Sequence, residues 1–233
     1  MTTIASNLQA VRDAIAAAAA EAGRDAGDIH LLAVSKTFAP QALREAYLAG
    51  QTCFAESYMQ EALDKIAALN DIPIEWHYIG PVQSNKTRAI TENFAWVHSV
   101  DRLKIAERLS EQRPVHLPAL QVCLQVNISM ETSKSGVPAD GLDALAHAVA
   151  KLPNLKLRGL MAVPAPSDDV AVQRVSFARL RELRDRLHRQ GLQLDTLSMG
   201  MSDDFAAAIA EGATIVRIGT AIFGDRIYLK GTP

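Results

Sequence analysis

The chain has 233 residues, 48% of them hydrophobic and 21% charged, the balance of a globular protein with one sizeable core. Lys and Arg number 24 against 26 Asp and Glu, a formal charge of −2, so nothing directs it to nucleic acid or to an anionic membrane surface. No stretch approaches the roughly 18 apolar residues of a membrane span, and Arg12 and Asp13 interrupt the amino terminus early, so the expected location is the cytoplasm. Cys53 and Cys123 each lie in an apolar run and outside any metal-ligand spacing; both are expected to be reduced core residues, and no metal site is expected.

Residues 4–22 place Ile4, Leu8, Val11 and Ile15 on one helical face, and Gly23 follows as a stop. Next comes the string HLLAVSKT, in which Leu31, Leu32, Ala33 and Val34 run without alternation, as in a strand covered on both faces. A helix begins at Pro40. Strands are then expected at 51–55, 74–79, 95–100, 119–128, 155–163, 195–199 and 214–218. Between them lie helical stretches ending near Leu69 and at 85–92, 102–112, 139–151, 170–190 and 203–211. Eight strands alternating with helices, after one leading helix, predict an α/β fold: a single (β/α)8 barrel filling residues 1–233 as one domain. An open doubly wound sheet is the runner-up, but no dinucleotide-type glycine turn follows the first strand.

In such a barrel, ligands sit at the carboxyl ends of the strands. Lys36 stands at the end of strand one, where a buried amine opens into that crevice. Ser57 ends strand two, and His77 lies in Trp76-His77-Tyr78-Ile79-Gly80 of strand three. Asn127, Met161 and Ser198 stand at the ends of strands five, six and seven. Gly200-Met201-Ser202 opens the helix at Asp203, and Arg217-Ile218-Gly219-Thr220 closes strand eight. Loops after strands seven and eight commonly hold phosphate with backbone N–H groups, although Asp203 and Asp204 would repel an anion unless they turn away. A lysine opposite a phosphate cradle suits a phosphorylated aldehyde or ketone held as a Schiff base. The residues alone leave two ligands open, a sugar phosphate as in a class I aldolase and pyridoxal 5′-phosphate.

Over the strings LLAVSKT, ESYMQE, WHYIGPVQSNK, VHSVDR, QVNISMETSKSG, LRGLMAVPAP and SMGMSDDFAAAIAEGATIVRIGTAIFG, the chain resembles the pyridoxal phosphate homeostasis (YggS/PROSC) family. The resemblance implies a barrel like the amino-terminal domain of alanine racemase, of fold type III. It also implies pyridoxal 5′-phosphate as cofactor, a Schiff base on Lys36, phosphate held by Ser202, Gly219 and Thr220, and Arg217 facing the pyridine nitrogen. With these, Ser57, His77, Asn127, Met161 and Ser198 complete the candidate cofactor-binding set; no catalytic residue is assigned. Ala55-Glu56-Ser57 stands where the family typically has Gly-Glu-Asn, so Ser57 offers a shorter reach near the cofactor.

The functional expectation is a cofactor carrier or buffer, a monomer, with apo-enzymes as recipients. The alternative is an amino-acid racemase or lyase using the same linkage. A racemase of this type carries a second, β-rich domain with a catalytic tyrosine, whereas only GDRIYLKGTP follows Phe223 here, and Tyr228 is expected to be a packing or surface residue. Lys134, in Thr132-Ser133-Lys134-Ser135-Gly136, is the second lysine of interest, a loop amine able to exchange the aldehyde.

Overall fold

A computed structural model describes residues 3–129 and 135–225; Lys134 and Tyr228 lie outside the described residues. Eight parallel strands close into a barrel in chain order, with β1 (His30–Val34) hydrogen-bonded to β2 (Cys53–Glu56) on one side and to β8 (Ile215–Ile218) on the other. Between them come β3 (Glu75–Tyr78), β4 (Trp96–Val100), β5 (Leu120–Gln125), β6 (Leu155–Met161) and β7 (Thr196–Ser198). The outer ring is α2 (Pro40–Leu48), α3 (Met59–Ala68), α4 (Thr87–Asn93), α5 (Leu103–Gln112), α6 (Leu142–Val149), α7 (Val170–Arg189) and α8 (Phe205–Ala210). The short helix α9 (Thr220–Phe223), which the sequence pattern did not announce, follows β8 directly.

The leading helix α1 (Ile4–Glu21) forms where expected. A Thr3–Ser6 capping box opens it, Leu8, Val11 and Ile15 are buried, and Gly23 leaves it at φ +66°, a conformation costly for other residues. It packs against α2, α8 and α9, filling the ring where the first and last βα units meet. Two expected strands are shorter than their apolar runs. β5 stops at Gln125: the Val126 N–H still donates to Met161 of β6, but the Gln125 carbonyl and the Asn127 N–H turn to Val137, and β6 stops at Met161, before Pro164.

The side chains divide into two layers. Those facing outward join the helices in a large core; those facing inward include a small apolar cluster of Leu32, Val34, Ala55, Trp96, Cys123, Met161 and Ile215. Cys123 is fully buried, as expected of a core thiol, and Cys53 is half-buried at the edge of that cluster. The barrel's axis also carries polar groups: His77, His98, Ser198 and Arg217 are all buried within it. Among the described residues no helix is long and apolar enough to cross a membrane.

Candidate functional site

Lys36 is raised to the carboxyl mouth of the barrel by a strained turn. The next residue, Thr37, has φ +72°, a region that a β-branched residue adopts only when its surroundings impose it. Here the Thr37 N–H donates to Glu61 of α3. Beneath it the buried Lys65 ammonium donates to the Ser35 carbonyl (2.7 Å), to Glu56 (2.8 Å) and to Glu61, while the Ser35 hydroxyl donates to Glu56 (2.6 Å). Burial pushes the Glu56 carboxyl above its ordinary range, and Lys65 opposes that shift. The loop bearing Lys36 is thus fixed from below by charge-assisted hydrogen bonds.

Lys36 lines a cavity of about 310 Å³ with Val34, Phe38, Ser57, Ile79, Met161 and Val163 on the apolar side. Met201, Ser202, Asp203, Arg217, Gly219 and Thr220 complete its wall. Phe38 stacks on Phe223, ring centroids 5.0 Å apart, tying the Lys36 loop to the end of α9. Ser57 reaches this wall because Gly80 lies against it: a Cβ on Gly80 would come within 2.2 Å of the Ser57 carbonyl oxygen. Lys36 and Ser57 also border a neighbouring hollow of about 590 Å³ reached by Gln83 and Lys86.

Arg217 forms the floor. The residue is 4% exposed; its guanidinium donates to the Ser198 hydroxyl (2.8 Å) and to the Ala162 carbonyl (2.9 Å), and its pKa is lowered by burial to about 10. The two aspartates after strand seven separate. Asp204 folds back to accept from the Met201 N–H (2.6 Å), closing the turn, whereas Asp203 is exposed at the cavity rim.

Seven of the ten sequence-derived candidates therefore meet in one cavity: Lys36, Ser57, Met161, Ser202, Arg217, Gly219 and Thr220. The other three do not line it. Ser198 lies one layer deeper and bridges Arg217 to His98 Nδ1 (2.8 Å). Asn127 stands two residues past β5, its N–H donating to the Val137 carbonyl. His77 points along the barrel axis toward the opposite mouth, not into the carboxyl one. Its Nδ1 meets His98 Nε2 and its Nε2 meets Glu75, both at 2.9 Å, because inward-facing positions of β3 alternate through Glu75, His77 and Ile79. Burial lowers both imidazoles, His98 well below its ordinary value, so both are neutral. The result is a continuous chain of hydrogen bonds, Arg217–Ser198–His98–His77–Glu75, running the length of the barrel interior. Sequence reasoning also missed Phe38, Ile79 and the Glu56–Lys65 support; the i, i+2 spacing of Val34 and Lys36 was the one local signal for a wall residue.

The donor set fits a phosphorylated aldehyde. It offers a primary amine on one wall, a buried guanidinium on the floor, and hydroxyl and backbone groups at Ser202, Gly219 and Thr220 on the far side, within a cavity of ligand size.

Residues 6–227 match the family of the alanine racemase N-terminal domain. The chain is 62% identical over 228 residues to a pyridoxal phosphate homeostasis protein of Pseudomonas aeruginosa, covering 98% of each chain. It is 52% identical over 233 residues to that of Escherichia coli K12, covering 99% of this chain and 100% of the relative. PipY of Synechococcus elongatus, solved with pyridoxal phosphate bound, is 36% identical with a TM-score of 0.83, over 95% of this chain and all of that one. An alanine racemase of Clostridium difficile shares the fold at a TM-score of 0.73 and 17% identity, this chain spanning 58% of its length. The closed barrel, the mouth that carries Lys36 and the full-length identities lead to one conclusion: the chain belongs to the pyridoxal phosphate homeostasis protein family, built on the alanine racemase N-terminal barrel.

Proposed function

We propose that this barrel, as one domain, binds pyridoxal 5′-phosphate at its carboxyl mouth through a Schiff base on Lys36 and serves as a cytoplasmic carrier that yields the cofactor to apo-enzymes. The observation that carries this reading is the placement of the Lys36 amine in the same 310 Å³ cavity as Arg217, Ser202, Gly219 and Thr220. The ligand seen in PipY supports it. When bound, the cofactor supplies an aldehyde that condenses with an amine, losing water. The chain does the rest. The Glu56–Lys65–Glu61 cluster holds the Lys36 loop in position, and Ile79, Met161 and Val163 present an apolar face to a ring. Arg217 holds its protons, since a guanidinium lowered to about 10 is still charged near neutrality. Facing the pyridine nitrogen, such a donor would leave that nitrogen largely unprotonated and would weaken the ring as an electron sink without abolishing it, which inclines the site toward storage.

The test is an absorbance spectrum of the protein loaded with pyridoxal phosphate, before and after borohydride, beside K36A. A visible band that reduction fixes to the peptide bearing Lys36, and that is lost in K36A, is expected. No band on loading, or the same fixation in K36A, would overturn the assignment. Alanine incubated with the loaded protein in deuterium oxide should retain its α-proton; exchange at rates of several per second would make it an enzyme.

A further inference from the structure

The larger cavity of the barrel lies at the other end. It encloses about 860 Å³ at the amino mouth, where β1, β2, β3 and β8 begin with His30, Cys53, Glu75 and Ile215. Cys53 and Glu75 are direct partners in the parallel register of β2 and β3. Glu75 and His77 are two apart on β3, so they share its inward face. Their polar atoms converge: Cys53 Sγ is 3.7 Å from Glu75 Oε1, His77 Nε2 is 2.9 Å from the same oxygen, and all three ligand atoms lie within 4.8 Å of one another.

We propose that Cys53, Glu75 and His77 form a site for a divalent cation of the zinc class, with its fourth position open to the amino-mouth cavity. Tetrahedral bonds of about 2.3 Å to sulfur and about 2.1 Å to nitrogen and oxygen place sulfur and oxygen roughly 3.6 Å apart, and nitrogen and oxygen roughly 3.4 Å apart. The first distance is already met. The second needs the carboxylate to swing by about half an ångström, which a side chain that is 49% exposed can do. His77 is held ready: its ring stacks on Trp96 at 5.4 Å and 6°, and its Nδ1 sits against His98 Nε2. A cation on Nε2 leaves the single ring proton on Nδ1, where His98 accepts it, the orienting contact that metal-bound imidazoles characteristically have.

Five basic residues besides His77 line the cavity, His30 and Lys156 among them, and its three arginines are held by partners outside the proposed site. Arg158 is clamped by Asp195 (2.7 Å), Arg113 donates to the carbonyls of Thr91, Phe94 and Pro118, and Arg24 donates to those of Ile209 and Ala213. Binding balances as Cys53–SH plus the dication giving a thiolate–metal bond and one released proton.

The experiment is titration of the chelator-treated full chain with cobalt(II). One equivalent should bind, with a sulfur-to-cobalt charge-transfer band in the near ultraviolet and intense visible bands of low coordination number. C53S should lose the charge-transfer band, and E75Q, which keeps the shape of the side chain, should bind at least tenfold more weakly with an unchanged near-ultraviolet circular dichroism spectrum. K36A, altered at the far mouth, should behave as the wild type. No saturable binding at one equivalent, or a charge-transfer band that survives in C53S, would overturn the site.

Discussion

At the scale of single residues, Thr37 shows how the site is set. A β-branched residue at φ +72° stores strain, and it stands beside the lysine on which the proposed chemistry depends. T37G removes the strain but adds freedom to the unfolded chain, so the two terms partly cancel. We expect the variant to gain about 1 kcal/mol in urea-unfolding free energy while binding pyridoxal phosphate more weakly, because the loop loses the geometry that aims Lys36. A destabilised T37G would show that the Thr37 side chain contributes more than its backbone costs. Ser198 is a second such residue. Its hydroxyl joins Arg217 to His98 in the axial chain of hydrogen bonds, and its removal leaves two buried polar groups short of a partner. S198A should therefore cost about 1–3 kcal/mol in stability, read from the shift in urea midpoint.

At the scale of elements, the β1–α2 loop depends on α3. Lys65 stands one helical turn after Glu61, 4% exposed in its side chain, and faces the fully buried Glu56. Replacing such a pair by apolar groups can be neutral, but breaking it strands a charge. K65M should cost about 3–5 kcal/mol, and K65M with E56L in the same chain should recover much of that loss; a double-mutant cycle in urea decides it. A second inter-element tie joins α7 to the end of α8. Glu211 accepts from Arg174 (2.8 Å) and from Arg181. Burial raises its carboxyl, but the two guanidinium bonds outweigh burial and the net shift is downward. Its folded value thus lies below the unfolded value of about 4.3, so the unfolded chain takes up the proton first as pH falls. The stabilisation is complete above that value and is lost as pH drops through the folded one. E211Q should flatten the acid limb of a stability–pH curve while leaving its neutral slope unchanged.

At the scale of the whole molecule, one closed barrel carries two mouths joined by a polar axis, and sequence and tertiary structure divided the work of defining them. The alternation of eight apolar runs with helical stretches was enough to specify the barrel, because a buried parallel strand and its amphipathic helix each leave a local pattern. The carboxyl-mouth set was legible for the same reason: Lys36, Ser202, Gly219 and Thr220 each follow directly on a strand, and strand ends in this fold point to one place. Direction along the axis was not legible. His77 and Ser198 belong to strands like the others, but whether an inward side chain reaches one mouth or the other depends on its layer, which barrel closure and register set. Helix α9 is four residues long, too short to show a period. The Glu56–Lys65 support joins residues nine apart through packing of α3 on β2 and leaves no motif. Cys53, Glu75 and His77 likewise have no ligand spacing in the chain; only the pairing of β2 with β3 brings them together. The sequence by itself determined the fold and the lysine-bearing mouth, because both are written in local periodicity and strand ends. The tertiary structure alone decided the axial hydrogen-bond chain and the cluster at the amino mouth, because both arise from register between strands distant in sequence.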